Sequence, residues 1–585
     1  MQIDAHKRTL GEVLQLGQHM IPRYQRRYAW IDQNIRDFWN DITNAETTHF
    51  LGSMVTSGAT SEPREVIDGQ QRLTTTLISL CVLRDHYQDR DQNQRVTGIN
   101  AYLEFNDRNG IQRSRLQNRD TAAAARLNDN VIVEPARRKN SPAYDEESNE
   151  SQAYSVFSQL TSQALKNSEN EIESLDLIRD AILETEVVYI SVEDRMTAIT
   201  IFETLNDRGR SLTVMDLVKN HLFAAIVESD ENSSERLWVD TLELVEQVTF
   251  EHLSPDGFLY YAWNSKDHKG HNRVDTIETA RLRRSIADLV TTSANPAHTA
   301  QQVIEDLNRD ARILVALDHV LSHNGDPKCW DQFDPNWRRD KYEEISDRIY
   351  GILVTGSNQP IPLLLALLNT FLSDRNILNR KLLLRFLVAV ERFQFRWTIA
   401  QKASTSSIRR MYRFASSSVS GAVTRADIES ALDAFIENAA KIDASDAQFR
   451  DGIGRLAYSQ TRGKDAFKIR HILTQLEKML PETKLDLGRQ MSIEHLQGLE
   501  GRSEQTPRNA WIFKIGNLVL VPTEVNSRLP RAFDDKCDTL KDWVNPSDRC
   551  LSDAIAAGSW RSDDAGDRLT SIVGSALIRW PRVRP

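Results

Sequence analysis

The chain has 585 residues, of which 40% are hydrophobic and 27% are charged, as in an ordinary soluble globular protein. This length exceeds what a single hydrophobic core supports, so about two to four domains are expected. The net charge of −10 gives a global field that does not favour nucleic acid, although a local basic face could still bind it.

The N-terminal third alternates strands with helices. HFLGSMVT (49–56) and REVIDG (64–69) are short apolar segments bounded by turn residues, which predicts two strands. LTTTLISLCVLRDHY (73–87) carries apolar residues at helical spacing. Further on, VVYISV (187–192) predicts a strand and RMTAITIFETLND (195–207) a helix. The polar stretch at 138–153 predicts an exposed loop.

Helical periodicity dominates residues 220 to 475, and short strands return after residue 480 with WIFKIGNLVLVP. These changes of pattern predict three domains, at 1–225, 226–478 and 479–585. The expected fold class is therefore multidomain α+β, with a mixed N-terminal domain, an all-helical middle domain and a small C-terminal domain.

Compartment and membrane contact follow from the cysteines and the apolar runs. The four cysteines form no CxxC pair, which argues against a disulfide scaffold or a structural zinc site and favours a reducing cytoplasm. The N-terminus shows no secretion signal. The longest apolar run, IPLLLALLNTFL (361–372), is shorter than the roughly 20 residues of a membrane helix, so it predicts a core helix and no membrane partner.

Three polar clusters interrupt the apolar elements of the N-terminal domain. The first lies in MIPRYQRRYAW (20–30), the second in DGQQR (68–72) and the third in LNDRG (205–209). The residues of interest in them are Tyr24, Gln25, Arg26 and Tyr28; Asp68, Gly69, Gln70, Gln71 and Arg72; and Asn206 and Arg208.

The second cluster has a readable chemistry, because a strand feeds an Asp-Gly turn and a helix is expected to begin near Arg72 or Leu73. Backbone N–H groups at a helix start favour an anion, Gly69 allows the backbone to approach a phosphate, and Arg72 can fork onto phosphate oxygens. Asp68 could hold a metal ion, a ribose or a water. A capped turn beside a surface arginine explains the same residues, and this cluster alone does not decide between the two interpretations.

All three clusters, in this order, resemble the N-terminal domain of the GmrSD-type modification-dependent restriction enzymes, over residues 10–225. The family also includes phosphorothioate-sensing SspE-like and BrxU-like defence nucleases. The resemblance implies a ParB/sulfiredoxin-like fold that binds and hydrolyses a nucleoside triphosphate, GTP or ATP, through the DGQQR residues together with Asn206 and Arg208. It also implies that Tyr24, Gln25, Arg26 and Tyr28 sense DNA or its modification.

A second constellation lies near the C-terminus, in SIEHL (492–496), IGNLVLVP (515–522) and the following helix start. His495 suits a general base, and Asn517 suits an amide that orients the histidine or closes the loop. Glu494 and Asn526 suit oxygen ligands of a divalent ion. A surface histidine with two asparagines in turns explains the same pattern.

The residue pattern of this region resembles the HNH-type (ββα-metal) nuclease domain that accompanies the GmrSD-type N-terminal domain, over residues 480–585. The resemblance implies that His495 is the general base, Asn517 the central asparagine and Asn526 the last ligand position, with Mg²⁺ or Mn²⁺ as the metal. One departure is the absence of the proline that commonly follows the family's Glu-His pair. It puts the loop after His495 in doubt.

A basic stretch in the middle domain, residues 380–413, carries nine cations against the single acid Glu391. Aromatic residues are interleaved with the cations. Long cations lying over a helical core explain this stretch, and so does a nucleic-acid surface.

The two resemblances together imply an anti-phage endonuclease of the type IV, modification-dependent kind, in which nucleotide binding or hydrolysis by the N-terminal domain controls nicking or cleavage of double-stranded DNA by the C-terminal nuclease. A first alternative is a defence effector whose NTPase is stimulated by phosphorothioate-modified host DNA and which nicks unmodified phage DNA. Others are a nucleotide-switched binding protein with a vestigial nuclease, and a nuclease directed at RNA. A homodimer is plausible for double-strand cutting, because one HNH site cuts one strand at a time.

Overall fold

The computed structural model describes residues 3–22, 25, 28–43, 49–58, 63–119, 121–206, 213–226, 228–249, 253–268, 279–333, 342–400, 406–458, 465–481, 485, 491–498 and 507–584. The chain divides into two compact units. The first comprises Met1–Arg236 and Ile286–Val303, and the second comprises Leu237–Ser285 and Ile304–Pro585.

The first unit combines strands and helices. Its strands are β1 Ile3–Thr9, β2 His19–Ile21, β3 Phe50–Ser57, β4 Arg64–Asp68, β5 Glu104–Asn106, β6 Gln112–Ser114, β7 Leu116–Asn118 and β8 Glu186–Val192. Its helices are α1 Leu10–Gln15, α2 Asp32–Thr43, α3 Gln70–Gln88, α4 Asn93–Leu103, α5 Thr121–Leu127, α6 Pro135–Arg138, α7 Asn149–Lys166, α8 Glu171–Glu184, α9 Arg195–Asn206, α10 Val214–Ala225 and the first part of α11 Glu228–Glu246, which crosses the unit boundary.

A six-stranded mixed sheet runs through this unit in the order β1-β8-β3-β4-β2-β7. β3 lies in its middle, parallel to β8 and antiparallel to β4. α3 follows β4 directly and is buried along most of its length, with Leu73, Leu77 and Leu80 fully inaccessible. This burial fixes the start of α3 against the sheet, so the turn between β4 and α3 is held from both sides.

The second unit is mostly helical. Its helices are α12 Pro255–Asn264, α13 Thr279–Thr291 and α14 Pro296–Ser322, which both cross the unit boundary, α15 Glu343–Leu353, α16 Ile361–Ser373, α17 Arg380–Ile399, α18 Ser406–Ser420, α19 Arg425–Ile442, α20 Asp446–Arg455, α21 Ala466–Met479, α22 Thr523–Asn526, α23 Phe533–Leu540, α24 Arg549–Ala557 and α25 Ser562–Arg579. Its strands are β9 Met491–His495 and β10 Leu518–Pro522, which pair antiparallel, and short 3₁₀ turns span Pro327–Gln332, Pro507–Phe513 and Ile515–Asn517.

Helix α17 joins the middle of the chain to its C-terminal end through the buried carboxylate of Glu391. This carboxylate accepts hydrogen bonds from Arg348 (2.9 Å), Arg579 (2.9 Å) and the Trp580 indole (3.0 Å). Burial would raise the pKa of Glu391, but the His471 imidazole 3.9 Å away and the two guanidinium groups outweigh it and hold the pKa at about 2. Glu391 therefore links α15, α17, α21 and the C-terminal end of α25.

The expectation of a predominantly helical protein with a small mixed sheet in its N-terminal region is confirmed. The boundaries at 225 and 478 and the two named folds remain predictions. Two local expectations differ: α3 begins at Gln70 rather than near Arg72, and α7 begins at Asn149 inside the expected loop at 138–153. Ser148 accepts a hydrogen bond from the Ser151 N–H, which is how that helix starts early. Of the helices in the described ranges, none is both long and apolar enough to cross a bilayer.

Candidate functional site

The DGQQR residues form a tight corner between β4 and α3. Gly69 has a φ of 95°, a conformation that other residues rarely adopt, and a Cβ atom there would lie 2.9 Å from the Met54 side chain. The Asp68 carboxylate accepts a hydrogen bond from the Gly69 N–H at 2.7 Å. Glycine is thus required by both the backbone conformation and the space.

Arg72 lies across the neighbouring strand. Its guanidinium donates to the Ser53 carbonyl and lies 4.0 Å from the Asp68 carboxylate. The guanidinium lies over Gly52 of β3: a Cβ atom added at Gly52 would lie 3.8 Å from it, which is van der Waals contact. The Arg72 side chain is 26% exposed, so an anion can reach part of it while its guanidinium bonds β3.

The first and second clusters lie together. The Gln71 side-chain oxygen accepts from the Ala29 N–H (2.9 Å), and the Gln25 amide donates to the Ile67 carbonyl (2.9 Å). The Tyr28 hydroxyl bonds Thr75 at 2.9 Å, and burial raises the pKa of Tyr28. These bonds attach Gln25, Tyr28 and Ala29 to the corner, so at least part of the role of these side chains is structural.

Some of the residues singled out from the sequence cannot be placed. Tyr24, Arg26 and Arg208 lie outside the described residues, as does most of the LNDRG cluster. Asn206 is the last residue of α9. The nucleotide-binding and DNA-sensing roles of all these residues remain predictions.

His495 ends β9, opposite Leu518 of β10. Its Nε2 lies 3.1 Å from the Tyr458 carbonyl oxygen, and the Tyr458 ring stacks on the imidazole at 5.6 Å and 18°. A carbonyl only accepts hydrogen bonds, so Nε2 carries the proton and Nδ1 is left with a lone pair. Burial holds the pKa of His495 below its usual value. The imidazole is therefore neutral at pH 7 and able to take a proton.

Asn517 lies just before β10 and is fully buried. Its side-chain oxygen accepts from the Gln497 N–H (3.0 Å) and the Trp560 indole (2.9 Å), and its amide donates to the Ile512 carbonyl (2.6 Å) and the Gln497 carbonyl (3.2 Å). All its polar atoms are used within the protein. Asn517 therefore closes the loop that follows His495 despite the missing proline.

The oxygen donors for a metal are few. Glu494 accepts from the buried Lys536 ammonium, which also donates to the His495 carbonyl. Asn526 is the last residue of α22, which directly follows β10. No group of three or more His, Cys, Asp or Glu residues that could hold a metal occurs within the described part of the chain. One carboxylate and one amide suit a largely hydrated Mg²⁺ or Mn²⁺, and they do not suit zinc.

Comparison with known families decides the identity of the N-terminal part. Residues 10–223 match the family model of the GmrSD restriction endonuclease, N-terminal domain. This segment is a GmrSD N-terminal domain. The match covers the N-terminal part of the chain and does not reach the residues after 223. No curated protein matches the chain.

The GmrSD match ends before the His495 site, so that site rests on its own geometry. Two of its residues were missed at the sequence level. Tyr458 acts through a backbone carbonyl 37 residues before His495, and a carbonyl carries no residue-type signal. Lys536 is buried beside Glu494, and a lysine 42 residues after a glutamate gives no signal in the sequence that the two would pair.

The basic stretch divides in two on the structure. Arg396 is fully buried and bonds the Trp580 carbonyl (2.9 Å), the Ala444 carbonyl (2.7 Å) and Asp446 (2.7 Å), so it belongs to the core. Lys381 and Arg385 are exposed on the same helix, α17. Lys402 lies outside the described residues. The sequence alone could not separate these two classes of cation.

Proposed function

We propose that this GmrSD-type protein is a metal-dependent DNA endonuclease whose cutting centre is His495 and whose N-terminal domain controls cutting through a nucleoside triphosphate. The observation that carries the proposal is the hydrogen bond between His495 Nε2 and the Tyr458 carbonyl, because it leaves Nδ1 as a proton acceptor.

In the proposed reaction, His495 Nδ1 takes a proton from a water molecule as the water oxygen attacks the phosphorus of a DNA phosphodiester. The new P–O bond forms as the bond to the leaving sugar oxygen breaks, and that oxygen is protonated from solvent. Asn517 acts on this step only by position, since its hydrogen bonds hold the loop after His495. Glu494 and Asn526 would hold Mg²⁺ or Mn²⁺, which when bound stabilises negative charge on the phosphate.

Control by GTP or ATP is proposed for the corner of the N-terminal domain. The left-handed Gly69 at the start of the 19-residue helix α3, together with the partly exposed Arg72, supports a phosphate site there. Asp68, Gln70, Gln71, Asn206 and Arg208 complete the proposed nucleotide site, and Tyr24, Gln25, Arg26 and Tyr28 the proposed DNA sensor. Such control would keep the nuclease silent on host DNA.

A cleavage panel tests the proposal. Purified protein is incubated with Mg²⁺ or Mn²⁺ and unmodified, glucosylated or phosphorothioated DNA, with and without GTP or ATP. Scission of at least one DNA that depends on metal and responds to nucleotide is the expected result. NTP hydrolysis that needs Asp68 and Arg72, without scission of any DNA under either metal, would instead identify a switched binding protein. Hydrolysis stimulated by phosphorothioated DNA, with nicking of unmodified DNA, would identify the sulfur-sensing alternative.

A further inference from the structure

An open groove of about 470 Å³ lies along α17 in the second unit. Its cationic lining comprises Arg380, Lys381, Arg385 and Arg392 from α17, and Arg584 from the C-terminal tail. We propose that this groove binds the phosphodiester backbone of the DNA substrate. The proposal rests on the proposed function for the identity of the occupant, and on the groove itself for the charge.

The cations of α17 are arranged as a stripe. Lys381, Arg385 and Arg392 are spaced by four and then seven residues, so they share one face of the helix. With a rise of about 1.5 Å per residue, the stripe runs about 16 Å along the helix axis. That length corresponds to about five phosphates on one strand of duplex DNA.

Carboxylates do not neutralise this stripe. The acid that lines the groove, Glu344, lies 3.4 Å from Arg380 and is thereby engaged. Glu391, adjacent in sequence to Arg392, is turned into the core, where Arg348 and Arg579 pair with it. Within the described part of the chain, Lys381, Arg385, Arg392 and Arg584 form no ion pair, whereas Arg380 beside them is paired with Glu344.

Arg392 gives the strongest reason to expect an anion. Its Nε atom is buried and has no hydrogen-bond partner among the described residues. Burial also holds the pKa of Arg392 below its usual value, which reflects the cost of its charge in the free protein. A phosphate oxygen would supply the missing acceptor and relieve that cost.

The C-terminal tail brings the fourth unpaired cation and ties the groove to the proposed nuclease region. Val583 N–H donates to the Asp443 carboxylate at 2.9 Å, and Val583 lines the groove beside Arg584. The tail continues directly from α25, and Arg568 of that helix donates to the carbonyls of Gly516 (3.0 Å) and Leu518 (2.7 Å) around Asn517. DNA held in the groove would therefore lie on the unit that carries His495.

The test uses the full chain carrying His495→Ala, so that binding is measured without cleavage. The groove variant combines Lys381→Ala, Arg385→Ala and Arg392→Ala. The matched control combines Arg309→Ala, Arg312→Ala and Lys478→Ala, which removes three cations of the same unit that are already paired with acids. A conservative variant, Arg385→Lys with Arg392→Lys, keeps the charge. Thermal unfolding checks that all four proteins fold.

Fluorescence anisotropy with a labelled DNA duplex is expected to show a Kd at least about tenfold higher for the groove variant, and a salt dependence shallower by about two to three in log Kd against log salt. The control variant should bind as the parent does, and the conservative variant should keep the parent's salt slope because its charge is unchanged. Equal Kd and equal salt slope in the groove variant and the control would overturn the proposal. Groove-dependent binding of an RNA duplex but not of DNA would overturn it as well. Absence of cleavage by the wild-type protein, with groove-dependent DNA binding intact, would refute the proposed nuclease and leave the groove assignment standing.

Discussion

The DGQQR corner and the β9–β10 strand pair use polar residues in opposite ways. At the corner, the side chains of Gln25, Gln71 and Arg72 hydrogen-bond to the protein's own backbone. At the β9–β10 strand pair, Asn517 forms the bonds that close the loop, while His495 keeps its Nδ1 atom as a proton acceptor. A conspicuous polar motif can therefore be mainly a means of holding a turn, and the reactive atom can lie elsewhere.

The largest loss of stability is expected for substitution of Asn517. Asn517→Ala would leave a buried indole, an amide and two carbonyls without their partner and lower the free energy of unfolding by about 3–5 kcal/mol. Urea unfolding measures this. The matched control is Asn526→Ala, which removes a partly exposed amide and should cost less than about 1 kcal/mol while still lowering metal-dependent cleavage. Equal stability losses would contradict the assignment of Asn517 as the loop-closing residue.

A smaller effect is expected at the corner glycine. Gly69→Ala meets both a positive φ and the Met54 side chain, so the free energy of unfolding should fall by about 2–3 kcal/mol. Gly110→Ala provides the control, because Gly110 also has a positive φ (75°) but no neighbour within 4 Å of the added Cβ. It should cost only about 1 kcal/mol. If both substitutions cost the same, close packing against Met54 is not what requires Gly69.

Substitutions of Gln71 distinguish a structural role from a direct contact with a nucleotide. Gln71→Leu removes the acceptor of the Ala29 N–H and should cost about 1 kcal/mol, with faster hydrogen exchange at that amide. Gln71→Glu keeps an acceptor oxygen and should preserve the protection of Ala29. Protection that survives in Gln71→Leu would show that the side chain does not hold this segment, and would strengthen the case for a direct nucleotide contact.

The smallest change expected is in the pH dependence of cleavage. His495 must be neutral to accept a proton, and its pKa lies below the usual value of about 6.5 because the ring is buried. The cleavage rate should therefore stay constant as the pH falls from 8 to about 6.5 and decline only at lower pH. A decline that begins above pH 6.5 in the log of kcat/KM would indicate a base other than a buried neutral histidine.

Much of this arrangement could be predicted from the sequence, and the remainder depends on contacts between distant residues. The strand, turn and helix of residues 64–88 follow from apolar periodicity and the Asp-Gly pair. The earlier helix start at Gln70 could not be predicted, because both glutamines are buried and Gln71 bonds the Ala29 N–H, a contact between residues distant in sequence. The Tyr458 carbonyl and the division between buried Arg396 and exposed Arg385 depend on tertiary packing, which residue types alone do not encode.

The central claim is that His495 is the general base of a DNA endonuclease. The most direct measurement compares cleavage by the wild-type protein and by His495→Ala with Mg²⁺ or Mn²⁺, under the DNA and nucleotide conditions in which the wild type cuts best. Loss of the base predicts a fall in the cleavage rate of about 10²–10⁴-fold, with DNA binding and thermal stability retained. Cleavage by His495→Ala at the wild-type rate would contradict the assignment of the active site.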